Sequence, residues 1–357
     1  MCASGFRRKF LRKPRYESRL RDSLQPVINL PSCKLSSTQP QPAIDIAQVT
    51  RILINRVSIR ISFDMELSKT RGNLVVIGGS EDREEDCRVL KEFLRLAKGA
   101  KARIIVMTVA TDKPSELGSE YVTAFKRLGV DSVHIVDVSS REDTKSEKSL
   151  QLIRDATGIF FTGGDQLHIT TLLGGTRMHE LLHEKFEKGV VLGGTSAGAA
   201  MMSDSMFIRG ESNETPRCGC MEIGPGMDFL RGALIDTHFS QRGRIGRLLT
   251  AVAHYPQDIG IGIDENTAMI VKDTEFEVIG EGTVTVVDAS GSTYTNLPDI
   301  GDGDALALYD VKLHVLSTGH RFDFGNRCPV IDRTSDKEEK RKESDSNKKR
   351  TKDRAKG

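Results

Sequence analysis

Nowhere in the chain does an apolar run approach the roughly 20 residues that a membrane-crossing helix needs. The basic start, MCASGFRRKFLRKPRYESRLR, is followed by no apolar segment, so the pattern of a secretory signal is missing. Neither sign of charge prevails: 52 basic side chains face 50 acidic ones. That balance gives no general reason to expect nucleic acid as a partner. Cysteines are few and irregular, at 2, 33, 87, 218, 220 and 328. Cys218 and Cys220 form CxC, too close for a zinc CxxC and without a second pair, so free thiols in a reducing cytoplasm are expected. The Arg-rich, Ser-containing start leaves organelle transit as the alternative. GGSEDR (78–83) lacks the GxGxxG of a dinucleotide-binding fold. HExxH is absent, and His179 and His183, four apart, have no nearby third ligand. Neither a metal nor another cofactor is expected.

What is present is an apolar middle between polar ends. Hydrophobic residues are 38% of the chain, below the usual globular share, and the shortfall is local. Residues 1–70 read as a basic, poorly ordered extension. Within them 48–64 (QVTRILINRVSIRISFD) alternates like an added strand, and Met65 leaves open an over-extended start. Residues 329–357 read as a charged, disordered tail; from Arg333 onward no aliphatic residue exceeds Ala, so no core can be buried there. Residues 71–328 remain as one large domain.

Its pattern is regular. NLVVIGG (73–79) is a short apolar run closed by glycines, as suits a buried strand. Residues 82–99 show helical spacing at Val89, Leu90, Phe93, Leu94 and Leu96. Strands at 102–110, 132–138, 159–164 and 190–195 alternate with further helices at 115–129, 147–158, 165–173 and 177–189. Such spacing means βαβ units, a mostly parallel central sheet and helices on both faces: a three-layer αβα fold. Sites in these sheets lie beyond the carboxyl ends of the strands. Gly78-Gly79, Gly163-Gly164 and Gly193-Gly194 stand at three such ends. After 258 the period becomes two, which predicts mostly antiparallel strands extending the edge of the sheet.

The sharpest signal is LGGTSAGAA (192–200), a GxSxG where a strand meets a helix. A nucleophile elbow needs small neighbours around a serine held in a strained turn, and the helix N-terminus behind it favours developing negative charge. The plain alternative is a serine that merely caps the helix. A serine nucleophile needs a base, and the base an orienting acid. Among eight histidines, His238 follows a strand end, where such a sheet puts its chemistry. Asp264 or Glu265 would supply the acid in the order Ser, His, acid. An α/β-hydrolase order would instead draw on Asp204, Glu211, Asp228 or Asp236. Asp236 shares a strand face with His238, so contact with substrate is its more natural role.

Five motifs in order carry a resemblance: VIGG, FTGGDQ, LGGTSAGA, DTHFSQRGRIGRL and GIGIDENTA resemble the cyanophycinase family over residues 72–290. The resemblance implies a fold related to class I glutamine amidotransferases, flavodoxin-like in its sheet, a serine exopeptidase activity and a homodimer. It also implies Ser196 as nucleophile, His238 as base and Glu265 as orienting acid. The oxyanion hole would be the N–H of Ala197 with that of Gly163 or Gly164. Asp165 and Gln166 would line the pocket. The implied substrate is cyanophycin, a polyaspartate bearing arginine on each β-carboxyl, cut to β-aspartyl-arginine dipeptides. Asp236 would pair with a substrate guanidinium, and Arg242, Arg244 and Arg247 would grip carboxylates; blandly, those arginines are the solvated opening of a helix. Where the family pattern has Gln before the histidine, this chain has Thr237, so a shifted substrate preference is expected. The competing expectations are a dipeptidase for small aspartyl or isoaspartyl peptides and a non-hydrolytic binding homologue. An amidotransferase would need Cys where Ser196 stands.

Overall fold

The computed structural model describes residues 70–210 and 215–331. The basic extension and the strand expected at 48–64, the charged tail beyond 331 and Glu211 lie outside the described residues.

Five parallel strands form the centre: β1 (Thr70–Ile77), β2 (Arg103–Met107), β3 (Ser132–Val136), β4 (Gly158–Phe161) and β5 (Val191–Thr195), in the order β1-β5-β4-β2-β3. Five helices connect them: α1 (Arg88–Leu96), α2 (Pro114–Arg127), α3 (Glu147–Asp155), α4 (Gln166–Leu173) and α5 (Arg177–Glu187). Alternate side chains of each strand go to opposite faces. Val75, Ile77, Val106 and Phe160 pack with Leu90, Phe93, Tyr121 and Phe125 of α1 and α2. Leu74, Val76, Met107 and Phe161 pack with Leu150, Ile153, Leu181 and Phe186 of α3 and α5. The expected three layers are present in this half.

The helix expected over 82–99 begins only at Arg88. The Asp82 carboxylate accepts from the N–H groups of Glu84 (2.9 Å), Glu85 (2.8 Å) and Cys87 (2.7 Å), which ties 82–87 into a turn. Those bonds, Glu85 first, hold the Asp82 carboxyl down at about 2.

Beyond β5 come a four-residue helix, α6 (Ala197–Ala200), the hairpin β6 (Ser205–Gly210) and β7 (Met221–Pro225), then β8 (Ala233–Thr237), α7 (Ile245–His254) and β9 (Ile259–Ile263). β10 (Thr267–Asp273) runs antiparallel to β1, and β11 (Glu275–Gly280) pairs with β10. After β12 (Thr283–Asp288) and the ribbon β13 (Tyr294–Thr295) and β14 (Leu308–Tyr309) come β15 (Lys312–Ser317), β16 (Arg321–Asp323) and β17 (Cys328–Val330). Strands β10, β11, β16 and β17 extend the main sheet to nine, as the period-two pattern suggested.

Strands β12 and β15 do not extend it. With β8 and β9 they form a separate sheet, β15-β12-β9-β8, in which β8 and β9 are parallel. The reason lies in IGIGI, the sequence of β9. Ile259, Ile261 and Ile263, with Val284 and Val286, pack toward Met269, Val271, Phe276 and Val278 of the main sheet. A Cβ at Gly260 would lie 2.7 Å from Val252 and one at Gly262 2.3 Å from the Phe239 ring. The glycine face thus admits α7 and Phe239 against the strand. No helix among the described residues is long and apolar enough to cross a membrane.

Phe160 sits within 5.6 Å, centroid to centroid, of Phe93, Tyr121 and Phe125. Phe160→Ala should therefore cost about 3–5 kcal/mol of stability in a urea titration; a loss below about 1 kcal/mol would contradict this packing.

Candidate active site

Ser196 occupies the corner between β5 and α6 at φ 52° and ψ −110°. A non-glycine residue held there stores about 1–3 kcal/mol of backbone strain. The flanking glycines are required by contact: a Cβ at Gly194 would lie 2.1 Å from the Gly198 carbonyl, and one at Gly198 2.4 Å from the Phe161 carbonyl. The serine hydroxyl does not cap α6; it lies 2.9 Å from His238 Nε2. His238 follows β8, also with positive φ (49°), and its Nδ1 lies 2.6 Å from Glu265 Oε1. A carboxylate only accepts, so Nδ1–H donates to Glu265 and Nε2 is left to face the hydroxyl.

Three consecutive carbonyls hold the three segments together. Ile77 O accepts from Ser196 N (3.1 Å), Gly78 O from His238 N (2.7 Å) and Gly79 O from Asn266 N (2.9 Å). Gly79, at φ +106°, lies under the imidazole; a Cβ there would sit 2.2 Å from His238 Cε1. Asp264 takes no part in the chain to Ser196. It accepts from Ser240 N and Oγ (3.1 and 2.7 Å) and from Thr283 N and Oγ1 (3.0 and 2.8 Å), stapling the His238 segment to β12. Burial alone would raise the Asp264 carboxyl, but these bonds hold it below its usual value.

A cavity of about 390 Å³ adjoins Ser196, bounded by Gly164, Gln166, Ala197, Thr237 and the arginines 209, 242, 244 and 247. Burial lowers the His238 pKa below its usual 6.5; the Glu265 bond opposes this, while Arg242 and Arg244 push it down further. The imidazole is therefore neutral near pH 7 and able to accept a proton.

The sequence model for peptidase family S51 matches residues 74–279. The chain belongs to peptidase family S51. It is 36% identical to the cyanophycinase of Trichormus variabilis over 270 residues, 74% of this chain and 91% of that one. It is 38% identical to the cyanophycinase of Geminocystis herdmanii over 262 residues, 73% of this chain and 96% of that one. The fold is similar to the crystal structure of a peptidase from an acI-B1 Actinobacterium, with a TM-score of 0.52 at 20% identity, covering 71% of this chain and 97% of that one.

The substrate contacts expected of this S51 peptidase are partly redistributed. Asp236, expected to meet a substrate guanidinium, is buried against the chain's own arginines. Its carboxylate accepts from Arg247 Nε (2.6 Å) and Nη2 and from Arg244 Nη1 (3.1 Å). Arg247, expected to grip a carboxylate, is buried with its guanidinium over the Phe207 ring at 4.9 Å. Neither is part of a solvated helix face. Arg244 Nη1 also donates to Thr237 O (2.7 Å), while its Nε has no hydrogen-bond partner among the described residues. Burial brings the Arg244 pKa down to about 10, against the pull of Asp236. Arg242 is exposed and borders the cavity.

Asp165, expected in the pocket, caps α4 by accepting from Leu167 N (2.8 Å) and is not among the residues bounding the cavity. Gln166 does border it, with Nε2 donating to Phe207 O (2.7 Å). Gly163 lies beside the Ser196 corner: a Cβ there would be 3.5 Å from Ser196 Cβ, and Gly164 borders the cavity. Arg209 was missed by sequence reasoning because no motif surrounds it in β6. His179 and His183 share the Met227 carbonyl (3.4 and 2.8 Å), and His183 stacks on Phe229 at 4.4 Å. Among the described residues no group of three or more His, Cys, Asp or Glu side chains could hold a metal.

Gly79→Ala would drive a methyl group into the imidazole. Turnover should fall by about 10²-fold, the scale of a small misplacement of a catalytic group; full turnover would show that the ring is seated elsewhere.

Proposed function

We propose that this S51 peptidase is a cyanophycinase-type serine exopeptidase working through Ser196, His238 and Glu265. The observation that carries the reading is the unbroken chain from Ser196 Oγ to His238 Nε2 (2.9 Å) and from His238 Nδ1 to Glu265 (2.6 Å), at a corner held open by glycines. His238 takes the hydroxyl proton as Oγ attacks the scissile carbonyl, then gives it to the departing amine. Glu265 fixes the tautomer and stabilises the imidazolium. The Ala197 N–H, with that of Gly163 or Gly164, receives the oxyanion. Water then repeats the sequence to release the acyl group.

The proposed substrate is cyanophycin (multi-L-arginyl-poly-L-aspartate) and the products β-Asp-Arg dipeptides. The similarity to two cyanophycinases supports this. So does charge. Asp236 neutralises part of the Arg244–Arg247 pair, and with Arg209 and Arg242 the cavity keeps a positive excess that suits aspartate carboxylates. Asp236, already paired with Arg244 and Arg247, is not the partner of a substrate guanidinium. Thr237 is retained as a short polar wall of the cavity, altering the preference for the terminal residue. A cavity of about 390 Å³ also fits a small aspartyl or isoaspartyl dipeptide, so the products distinguish the two readings.

We place this enzyme in the cytoplasm, where the free thiols of Cys87, Cys218, Cys220 and Cys328 stay reduced. A homodimer is proposed through β15, whose Leu313 and Val315 stand 52% and 60% exposed on one face. Light scattering should give twice the chain mass, and Leu313→Glu/Val315→Glu should halve it; a wild-type monomer rejects the dimer.

Ser196→Ala should lower turnover of cyanophycin by about 10⁶-fold with polymer binding retained. Mass spectrometry of wild-type digests should show β-Asp-Arg and no cleavage of casein; release from β-aspartyl dipeptides alone would favour the dipeptidase reading. Because the His238 pKa is lowered, the base is lost only when pH falls below 6.5. kcat/KM should rise with pH to a plateau before neutrality, and Arg242→Gln should move that limb upward. A limb centred above 7 would contradict the assignment.

A further inference from the structure

Glu81 is a buried carboxylate beside the strand that leads into Ser196, and the mechanism above leaves it unused. It is 5% exposed. Both of its oxygens are taken by hydroxyl donors rather than by a cation. Thr195 Oγ1 donates to Oε2 (2.5 Å) and Tyr121 OH to Oε1. Thr195 is the last residue of β5, directly before Ser196, and is itself 4% exposed. Tyr121 comes from α2 and packs on Phe160 at 4.8 Å. Burial, and then the facing carboxylate, hold its phenol well above the usual 10, so it remains a hydrogen donor. Glu81 lies two residues beyond Gly79, in the turn whose carbonyls hold the Ser196, His238 and Asn266 amides.

The corner at Ser196 has a reason to need a second hold. Its backbone is strained, and one amide bond, Ser196 N to Ile77 O at 3.1 Å, limits its relaxation from one side. Rotation of the Thr195–Ser196 peptide would move Oγ relative to the imidazole. A Thr side chain has few rotamers, so fixing its hydroxyl also restrains the backbone that carries it. We propose that Glu81 is a positioning residue for the nucleophile: its buried carboxylate holds the Thr195 hydroxyl and so fixes the peptide that presents Ser196 Oγ to His238. This rests on the reading of Ser196 as nucleophile.

The test is the rate at which the full-length chain is labelled by a fluorophosphonate, read beside kcat and KM on solubilised cyanophycin. Glu81→Gln and Thr195→Val should each slow labelling and lower kcat by about ten-fold or more, with KM changed less than about two-fold. Thr195→Ser, which keeps the donor, should recover most of the rate lost in Thr195→Val. The double variant Glu81→Gln/Thr195→Val should be no slower than the slower single one, because both remove the same contact. Wild-type labelling rates in both single variants, multiplicative losses in the double, or a loss carried by KM would overturn the proposal. If Glu81→Gln does not fold, the comparison of Thr195→Val with Thr195→Ser decides alone. A wild-type chain that resists labelling altogether would reject the Ser196 reading instead.

Discussion

Three carbonyls in a row, those of Ile77, Gly78 and Gly79, accept the amides of Ser196, His238 and Asn266. Everything about the site's geometry depends on that turn. β1 lies between β5, its parallel neighbour, and β10, its antiparallel one. The serine arrives at the end of β5, and the turn carrying Glu265 and Asn266 leads into β10. The histidine arrives from β8, in the second sheet. Only at the end of β1 do the three meet, and only glycine lets the imidazole lie against that end. A sheet edge extended in one plane would not bring β8 there. Stacking the second sheet on the first does.

The charges follow the same economy. Asp236 lies in β8 two residues before His238, which leaves the strand with positive φ, and its carboxylate is taken up by the chain's own arginine cluster. That cluster braces the first turn of α7 against β8 and leaves the arginine-lined cavity net positive. Arg244 of that cluster, with Arg242 outside it, also disfavours a positive charge on the His238 imidazole, adding to the larger effect of burial. The positive excess of the cavity and part of the lowering of the His238 pKa thus come from neighbouring arginines, on top of the larger effect of burial.

How much of this was legible in the sequence depended on range. GTSAG, THF and IDEN are short stretches that directly follow apolar runs, so local pattern pointed to the strand ends that the structure brings together, while the choice of Glu265 over Asp264 rested on the family resemblance. The parallel half of the sheet was legible for the same reason. Asp236 was misread because its partners, Arg244 and Arg247, lie eight and eleven residues on and reach it only after the chain turns into α7. The cap that Asp165 makes on α4 was not legible because a capping carboxylate and a pocket carboxylate have the same local signature. IGIGI alternates whether it lies at a sheet edge or between a sheet and a helix; only the partners of Gly260 and Gly262 distinguish the two. Arg209 has no local signal at all.

Amide hydrogen exchange followed residue by residue tests the shared anchor most directly, because each of the three amides bonds to the same turn. The Ser196, His238 and Asn266 amides should be protected and open together, with a single common free energy and the same denaturant dependence. Independent opening, with His238 exchanging freely while Ser196 stays protected, would contradict a common anchor at residues 77–79.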